Sequence, residues 1–525
     1  VLCACLFYLL SRSLGCLRLP AALGTLYLSL CPIFLKRSLI GFYDTDSYNV
    51  LFPTVALLGL GTALGSRRSP RARFTFIALT ALWMSLYAFF WRGWLLIHAL
   101  LGAALFGLAA LRLFFPVVPG SRKNSFGMAL FFAAAPLLLL GVLVGPEEIL
   151  RIFRHSDEIV RNRMAPSIGL WPDVMAMVGE LHTVNLGKMS SFLGGGTFYA
   201  AAWAGYLWEF RSSLRRDSSP GAGRVLFLTA FFALSTLVGL QAERLTLFVV
   251  LPSAIGITFL LGRFLKAVRG LRFPFDGIKA GFFRWAKTAV LCGVLFAFVA
   301  AVSVNAHRTA RGQHTIYNTS WNRVMTELRK KTPADSIVTS WWSPGHFITS
   351  MADRRVTFDG ATQNTPQAYW VANLFLEPDE KTALGILRML NTSGNKAMEL
   401  LQEKGLKLSE TDAVLRKIFP LDRAEAARAL DLPYEKELLD LTHGTGAPPP
   451  SYVFVYDDMV TKAQGLQYVG GWDFRKVENF REFARRYPDK VNKRALKPYT
   501  RENIRLRWGL ATGPWMQDKE AYEDL

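Results

Sequence analysis

The feature that most constrains this chain is a series of apolar runs, each long enough to cross a bilayer, repeated through residues 1–304. A helix needs roughly 20 apolar residues to span the hydrocarbon core. In lipid it is also the structure that satisfies its own backbone hydrogen bonds within one segment. Nine spans are therefore predicted, at 20–38, 50–66, 74–91, 94–116, 126–145, 192–210, 225–241, 245–262 and 288–304. Residues 1–10, VLCACLFYLL, are apolar but too short to cross, and they lack the flanks of a signal peptide. They read as the tail of a preceding helix. Residues 305–525 have no such runs and read as an ordinary soluble domain.

Charge orients the spans. Alternate loops collect 20 of the 29 basic residues of this region against three acids, whereas the opposite loops hold nine of each. The arginine-rich set includes Arg67, Arg68, Arg71 and Arg73, and the positive-inside rule places it in the cytoplasm. Residues 305–525 then lie outside, in the periplasm or its equivalent. The same count removes nucleic acid as a partner. Of the formal net charge of +21, residues 1–304 carry +17, and the exterior domain, with 32 basic and 28 acidic residues, is nearly neutral. Cysteines 3, 5, 16, 31 and 292 all lie in or beside spans, so disulfides are not expected to hold the exterior domain together.

One exterior loop of the membrane part is long, residues 146–190, and a loop of that length usually carries function. Beyond residue 304 the pattern alternates between the two regular structures. Residues 320–331 are amphipathic with helical spacing, TPADSIVTSWW and RRVTFDG read as short strands, residues 366–392, 395–404 and 410–429 read as helices, and SYVFVYD closes with another strand. The exterior domain is therefore α/β mixed.

Two constellations carry chemistry. Asp44 and Asp46 stand two residues apart in GFYDTD at the exterior end of a span. Ionisable groups there are functional candidates, and paired carboxylates suit a hard divalent cation, although simple interfacial solvation explains an isolated pair equally well. Trp341-Trp342-Ser343-Pro344-Gly345 sets two large aromatics at a sharp turn, which can build a rigid apolar pocket with indole donors or simply a core pair.

Together these motifs resemble the catalytic subunit of oligosaccharyltransferase, most closely the single-subunit bacterial and archaeal enzymes. That resemblance implies a membrane domain of the GT-C glycosyltransferase fold followed by the exterior domain. The family's WWDYG motif is matched by Trp341–Gly345, with Ser343 in place of the Asp and Pro344 in place of the Tyr. Its DxD is matched by Asp44 and Asp46, and the Glu of its external loop by Glu180 in MVGE, with IFRHSDE at 152–158 similar to the approach to that loop. Arg244 in QAERLTLF matches an Arg at the exterior start of a span, and DMVTK, with Asp458, Met459 and Lys462, matches a second acceptor-pocket motif. A further family Asp, in the first exterior loop, has no counterpart, so the chain is expected to lack the first part of a complete enzyme.

The resemblance implies transfer of an oligosaccharide from a polyprenyl (pyro)phosphate carrier to the Asn amide of an Asn-X-Ser/Thr sequon, at a bacterial-type inner membrane, by a single subunit. It assigns a divalent metal, Mn2+ or Mg2+, to Asp44, Asp46 and Glu180, with Asp46 acting more from behind the site. Asp44 and Glu180 are the catalytic carboxylates, Arg244 contacts the lipid pyrophosphate, and Trp341, Trp342, Ser343, Met459 and Lys462 bind the sequon. Lys36 and Arg37 lie on the same face as Arg244, and snorkelling to the interface explains them as well; His182 and His346 read as structural or polar pocket residues. The alternatives are another GT-C enzyme using lipid-phosphate sugar donors, or an inactive paralogue.

Overall fold

The computed structural model describes all residues except 40–44, 66–68, 92, 115–121, 148–149, 151–167, 215–220, 272–276, 314, 316, 363–364, 447–448, 497–500 and 512–525. Asp44, Arg67, Arg68 and the IFRHSDE stretch lie outside the described residues. The chain divides into two compact units, one of Val1–Glu158 and Thr183–Ile316, the other of Ile159–His182 and Tyr317–Leu525.

The first unit is helical, and a helix underlies each expected span. Among the described residues, five helices are long and apolar enough to cross a membrane by themselves: Trp94–Phe114, Asn124–Val144, Gly221–Gly239, Arg244–Gly270 and Phe282–Arg311. Arg18–Leu30 and Pro32–Ser38 make a sixth if they count as one span, bent by 61°. The bend has a local cause. Pro32 has no N–H to continue the ladder, and it forces Cys31 into extended backbone, with ψ at 128°. Tyr48–Ala63 ends before the end of the 50–66 stretch expected for it, and Pro70–Tyr87 lies toward the N-terminal side of the expected 74–91. The last helix of the unit extends over Gly277–Arg311, beyond the 288–304 read from apolarity. Its apolar window is only 11% buried, so most of its surface is left uncovered by the rest of the unit, as the exposed Phe296 and Trp285 illustrate. Arg244–Gly270 is the opposite case, 83% buried at the centre of the bundle.

The second unit wraps helices around a small parallel sheet. Strands β1 (Ile337–Thr339), β2 (Arg355–Val356) and β3 (Ser451–Val453) pair in the order β2-β1-β3, Ile337 facing Arg355 on one side and Ser451 on the other. All three lie in stretches read as strands, and β1, buried throughout, is the central one.

The helical stretches also match, with breaks that follow from their prolines. Residues 366–392 are two helices, Pro366–Leu376 and Glu380–Ser393, because Pro378 holds Glu377 extended and Asp379 then caps the second helix by accepting from the Thr382 N–H. Pro420 likewise separates Leu408–Ile418 from Arg423–Ala429, which begins on a capping box of Asp422 and Glu425.

Candidate functional site

In the membrane unit the chemistry gathers on Asp46. It sits in a single 3₁₀ turn, Thr45–Ser47, ahead of the helix Tyr48–Ala63, and it is fully buried. Arg37, from Pro32–Ser38, donates through Nη1 to Asp46 Oδ2 at 3.0 Å. Arg244, at the head of the helix Leu247–Gly270, donates through Nη2 to Asp46 Oδ1 at 3.0 Å. Asn49 Nδ2 adds a bond to Oδ1 at 3.2 Å, and Tyr87 Oη donates to Asn49 Oδ1 at 2.5 Å. One carboxylate thus ties together three separate segments, with a fourth attached through Asn49.

The arrangement bears on two residues in particular. Both oxygens of Asp46 are occupied by guanidinium or amide donors, and the set of Arg37, Arg244 and Asp46 carries a net charge of +1. A divalent cation ligated directly by Asp46 would displace those donors and be repelled by both arginines, so Asp46 does not fit as a direct ligand. Arg37 is buried at 3% exposure and paired, so the snorkelling explanation does not hold for it. The Arg244 side chain is 36% exposed, so it is partly open while Asp46 fixes one edge. Among the described residues no group of three or more His, Cys, Asp or Glu side chains is placed to hold a metal.

The remaining candidates belong to the second unit. Its loop segment 168–182 is fixed to that unit's own helices. Trp472 Nε1 donates to Leu170 O at 2.7 Å, Arg481 to Ile168 O at 3.3 Å, and Arg507 pairs with Asp173 at 3.7 Å. Trp171 packs edge-on against Tyr369 and Phe474, with ring centroids 6.0 and 5.0 Å away. Glu180 rides on this anchored segment in the turn Gly179–Leu181, half-buried.

The Trp-Trp turn follows β1 directly. Trp341 is buried at 3% exposure and stands edge-on to Phe358, with centroids 5.6 Å apart. Trp342 and Ser343 are half-buried. Gly345 is required because a Cβ there would lie 2.5 Å from Asp359 Cβ and 2.8 Å from its Cα, so the turn seats directly on the 358–360 loop. His346 leans toward the same loop, its Nδ1 3.5 Å from Asp359.

The second acceptor motif meets this turn. Lys462 Nζ donates to Ser343 Oγ at 3.0 Å across 119 residues of sequence. It also pairs with Asp458, approaches Tyr456 Oη at 3.4 Å and lies 5.3 Å from the Tyr456 ring. Hydrogen bonds from Lys462 and from Thr461, the latter at 2.7 Å, hold the Asp458 carboxyl below the usual carboxylate range. Met459 is buried beneath at 7% exposure. All five residues expected to bind an acceptor thus belong to one unit, and Ser343 and Lys462 are in direct contact. Sequence reasoning missed Tyr456 as a neighbour and Asp458 as the counter-ion of Lys462, although the i, i+4 spacing of Asp458 and Lys462 signals the pair.

Residues 1–145 match the family described as oligosaccharyl transferase STT3, N-terminal. A stretch of 168 residues is 40% identical to a dolichyl-phosphooligosaccharide-protein glycotransferase of Methanococcus voltae, covering 30% of this chain and 18% of that protein. Another of the same description, from Methanocaldococcus jannaschii, is 35% identical over 173 residues, covering 31% and 18%. The matched stretch is thus under a fifth of either relative's length.

Among solved structures, the archaeal oligosaccharyltransferase AglB from Archaeoglobus fulgidus, in complex with an inhibitory peptide and a dolichol-phosphate, aligns with a TM-score of 0.58. The identity is 15%, over 74% of this chain and 56% of that one. The same enzyme tethered to an acceptor peptide containing the NVT sequon aligns with a TM-score of 0.52 at 15% identity, over 74% and 55%. At this identity the structures speak for the fold, a multi-pass GT-C membrane domain with a following soluble domain. The resemblance is matched in sequence over residues 1–145 and in fold over about three quarters of the chain.

Proposed function

We infer that this chain is an oligosaccharyltransferase of the STT3/AglB type, moving a glycan from a lipid-linked polyprenyl or dolichyl (pyro)phosphate donor to the Asn side chain of an Asn-X-Ser/Thr sequon. The observation that carries this reading furthest is the Lys462–Ser343 hydrogen bond. It joins the two motifs assigned to the acceptor, and both lie well beyond the 145 residues that match the family by sequence.

The amide nitrogen of Asn is a poor nucleophile because its lone pair is delocalised into the carbonyl. The reaction therefore depends on positioning the amide and stabilising the leaving group. Trp341, held against Phe358, and Trp342 offer the apolar wall for the third sequon residue, where a Thr methyl packs on indole. Ser343 Oγ, already accepting from Lys462, retains a lone pair and a proton for that residue's hydroxyl. Arg244, held on one edge by Asp46, presents a partly exposed guanidinium suited to a phosphate. Asp46 acts as the positioning residue for Arg244, not as a metal ligand. Asp44 and Glu180 are the carboxylates assigned to a divalent cation, Mn2+ or Mg2+, whose Lewis acidity would stabilise the charge developing on the departing pyrophosphate.

The chain acts at the cell membrane as a single subunit, with the Trp-Trp turn outside. The test is glycan transfer to a fluorescent Asn-X-Thr peptide. Trp342→Ala should raise KM for the peptide by about tenfold or more, a typical loss for a well-packed aromatic contact, with a smaller change in kcat. Unchanged peptide kinetics would remove the acceptor-pocket assignment.

A further inference from the structure

The opposite chemistry to the Asp46 cluster occurs at Arg112, in the last turn of the helix Trp94–Phe114. Its side chain is buried at 7% exposure. Nη1 donates to Ser125 Oγ at 2.6 Å, but among the described residues Arg112 has no carboxylate partner, and its buried Nε donates to nothing. The charge that acts on it is a like one, the guanidinium of Arg73. No Asp or Glu occurs in residues 61–73, 111–126 or 221–226; Asp217, the acid nearest to these stretches in sequence, lies outside the described residues.

The surroundings favour an anion further. Ser125 is in the first turn of the helix Arg122–Val144, Arg73 in the first turn of Pro70–Tyr87, and Gly223 in the first turn of Gly221–Gly239. Each helix start carries a partial positive charge from its aligned peptide dipoles. The C-terminal end of Arg112's own helix favours the guanidinium, but three neighbouring positive ends do not. The sequence nevertheless makes room for it. A Cβ at Gly223 would lie 2.3 Å from Arg112 Nη2, so glycine is what allows the guanidinium to sit between the helix starts. A buried cation without a counter-charge is costly, and an anion is what would offset it.

We propose that Arg112, Arg73 and the adjacent helix starts form a binding site for a phosphate-type anion, carried by an anionic membrane lipid or free in solution. The site lies at the end of the bundle that the charge distribution assigns to the cytoplasm, and it is separate from the Asp46 cluster. It is a structural or regulatory site, not part of the transfer reaction.

The experiment uses the whole chain, delipidated in detergent, with thermal melts and native mass spectrometry to follow binding. The probes are phosphatidylglycerol, phosphatidylcholine and inorganic phosphate. Wild type should bind phosphatidylglycerol and melt higher, with at least about tenfold weaker binding of phosphatidylcholine. Arg112→Met should weaken phosphatidylglycerol binding by about tenfold or more, the usual scale for charge-assisted hydrogen bonds, without lowering the melting temperature of the lipid-free protein. Gly223→Ala should displace the guanidinium and weaken binding in the same direction. A response to inorganic phosphate as well assigns the site to phosphate groups generally, and a response to phosphatidylglycerol alone assigns it to the lipid. No response of wild type to any probe overturns the proposal. So does an unaltered response in Gly223→Ala and in any foldable Arg112→Met.

Discussion

Ser343→Asp is the most informative single change, because the structure shows what the new carboxylate would meet. In the wild-type chain Ser343 Oγ accepts from Lys462 Nζ at 3.0 Å, and Lys462 is at the same time paired with Asp458. The serine can therefore offer an incoming sequon hydroxyl only a neutral hydrogen bond, about 1 kcal/mol, where a carboxylate would offer about 1.5–3 kcal/mol. The difference, on the order of 1 kcal/mol, corresponds to about a fivefold change in rate or affinity.

Wild type should accordingly prefer Asn-X-Thr over Asn-X-Ser, since contact of the Thr methyl with indole carries the discrimination. Ser343→Asp should raise kcat/KM for the Ser peptide by up to about fivefold, and for the Thr peptide, already held by its methyl contact, by less. The new carboxylate would also attract Lys462 away from Asp458, so Asp458 becomes more exposed to solvent while the acceptor gains a charged partner. The assay is kcat/KM for a matched peptide pair with wild type and variant. Equal use of both peptides by wild type, or a Ser-to-Thr ratio that Ser343→Asp leaves unchanged, would refute the reasoning and move the hydroxyl readout elsewhere.

Glu180→Gln should lower glycan transfer at least about 100-fold with little change in melting temperature, because several kcal/mol of leaving-group stabilisation depend on a carboxylate there; full activity in that variant would remove Glu180 from the site. Arg37→Met should destabilise the membrane unit by about 3–5 kcal/mol, since it leaves the fully buried Asp46 short of a partner, and the double change with Asp46→Asn should recover part of the loss in a thermal melt. His443 accepts from or donates to Thr442 Oγ1 at 2.9 Å and Leu421 O at 3.2 Å, and burial together with Arg388 pushes its pKa down to about 4. The unfolded chain takes up that proton near its ordinary 6.5, so this contribution to stability is complete above about 6.5 and declines as the pH falls toward 4. His443→Gln should flatten the stability profile in that window, and an unchanged profile would show that other groups set it.

Much of the fold is legible in the sequence because its signals are local. Apolar length locates each membrane helix, and alternation with turn residues locates β1, β2 and β3 within the stretches read as strands. Pro378 and Pro420 mark the helix breaks for anyone weighing the residue before proline. What escapes is long-range and electrostatic. Pro32 gives away a break but not a bend of 61°. Nothing near Arg37 announces that it will be buried against Asp46, because snorkelling and pairing look alike until the fold brings Arg244 to the same carboxylate across 198 residues. The Lys462–Ser343 contact is likewise set by the pairing of β1 with β3, which brings the segments that follow them to the same edge of the sheet. Arg112 reads from sequence as one more positive-inside residue, and only its burial beside Gly223 distinguishes it.

The central claim is that the membrane unit and the Trp-Trp pocket together make a transferase for Asn-X-Ser/Thr. It is tested most directly by incubating the membrane-purified protein with a polyprenyl-linked oligosaccharide, Mn2+ and two peptides that differ only as Asn-X-Thr and Gln-X-Thr, then locating the glycan by fragmentation mass spectrometry. The account predicts glycan on the Asn side-chain nitrogen of the first peptide alone, with release of the lipid pyrophosphate. Transfer to both peptides, or to a hydroxyl instead of the amide, would contradict it.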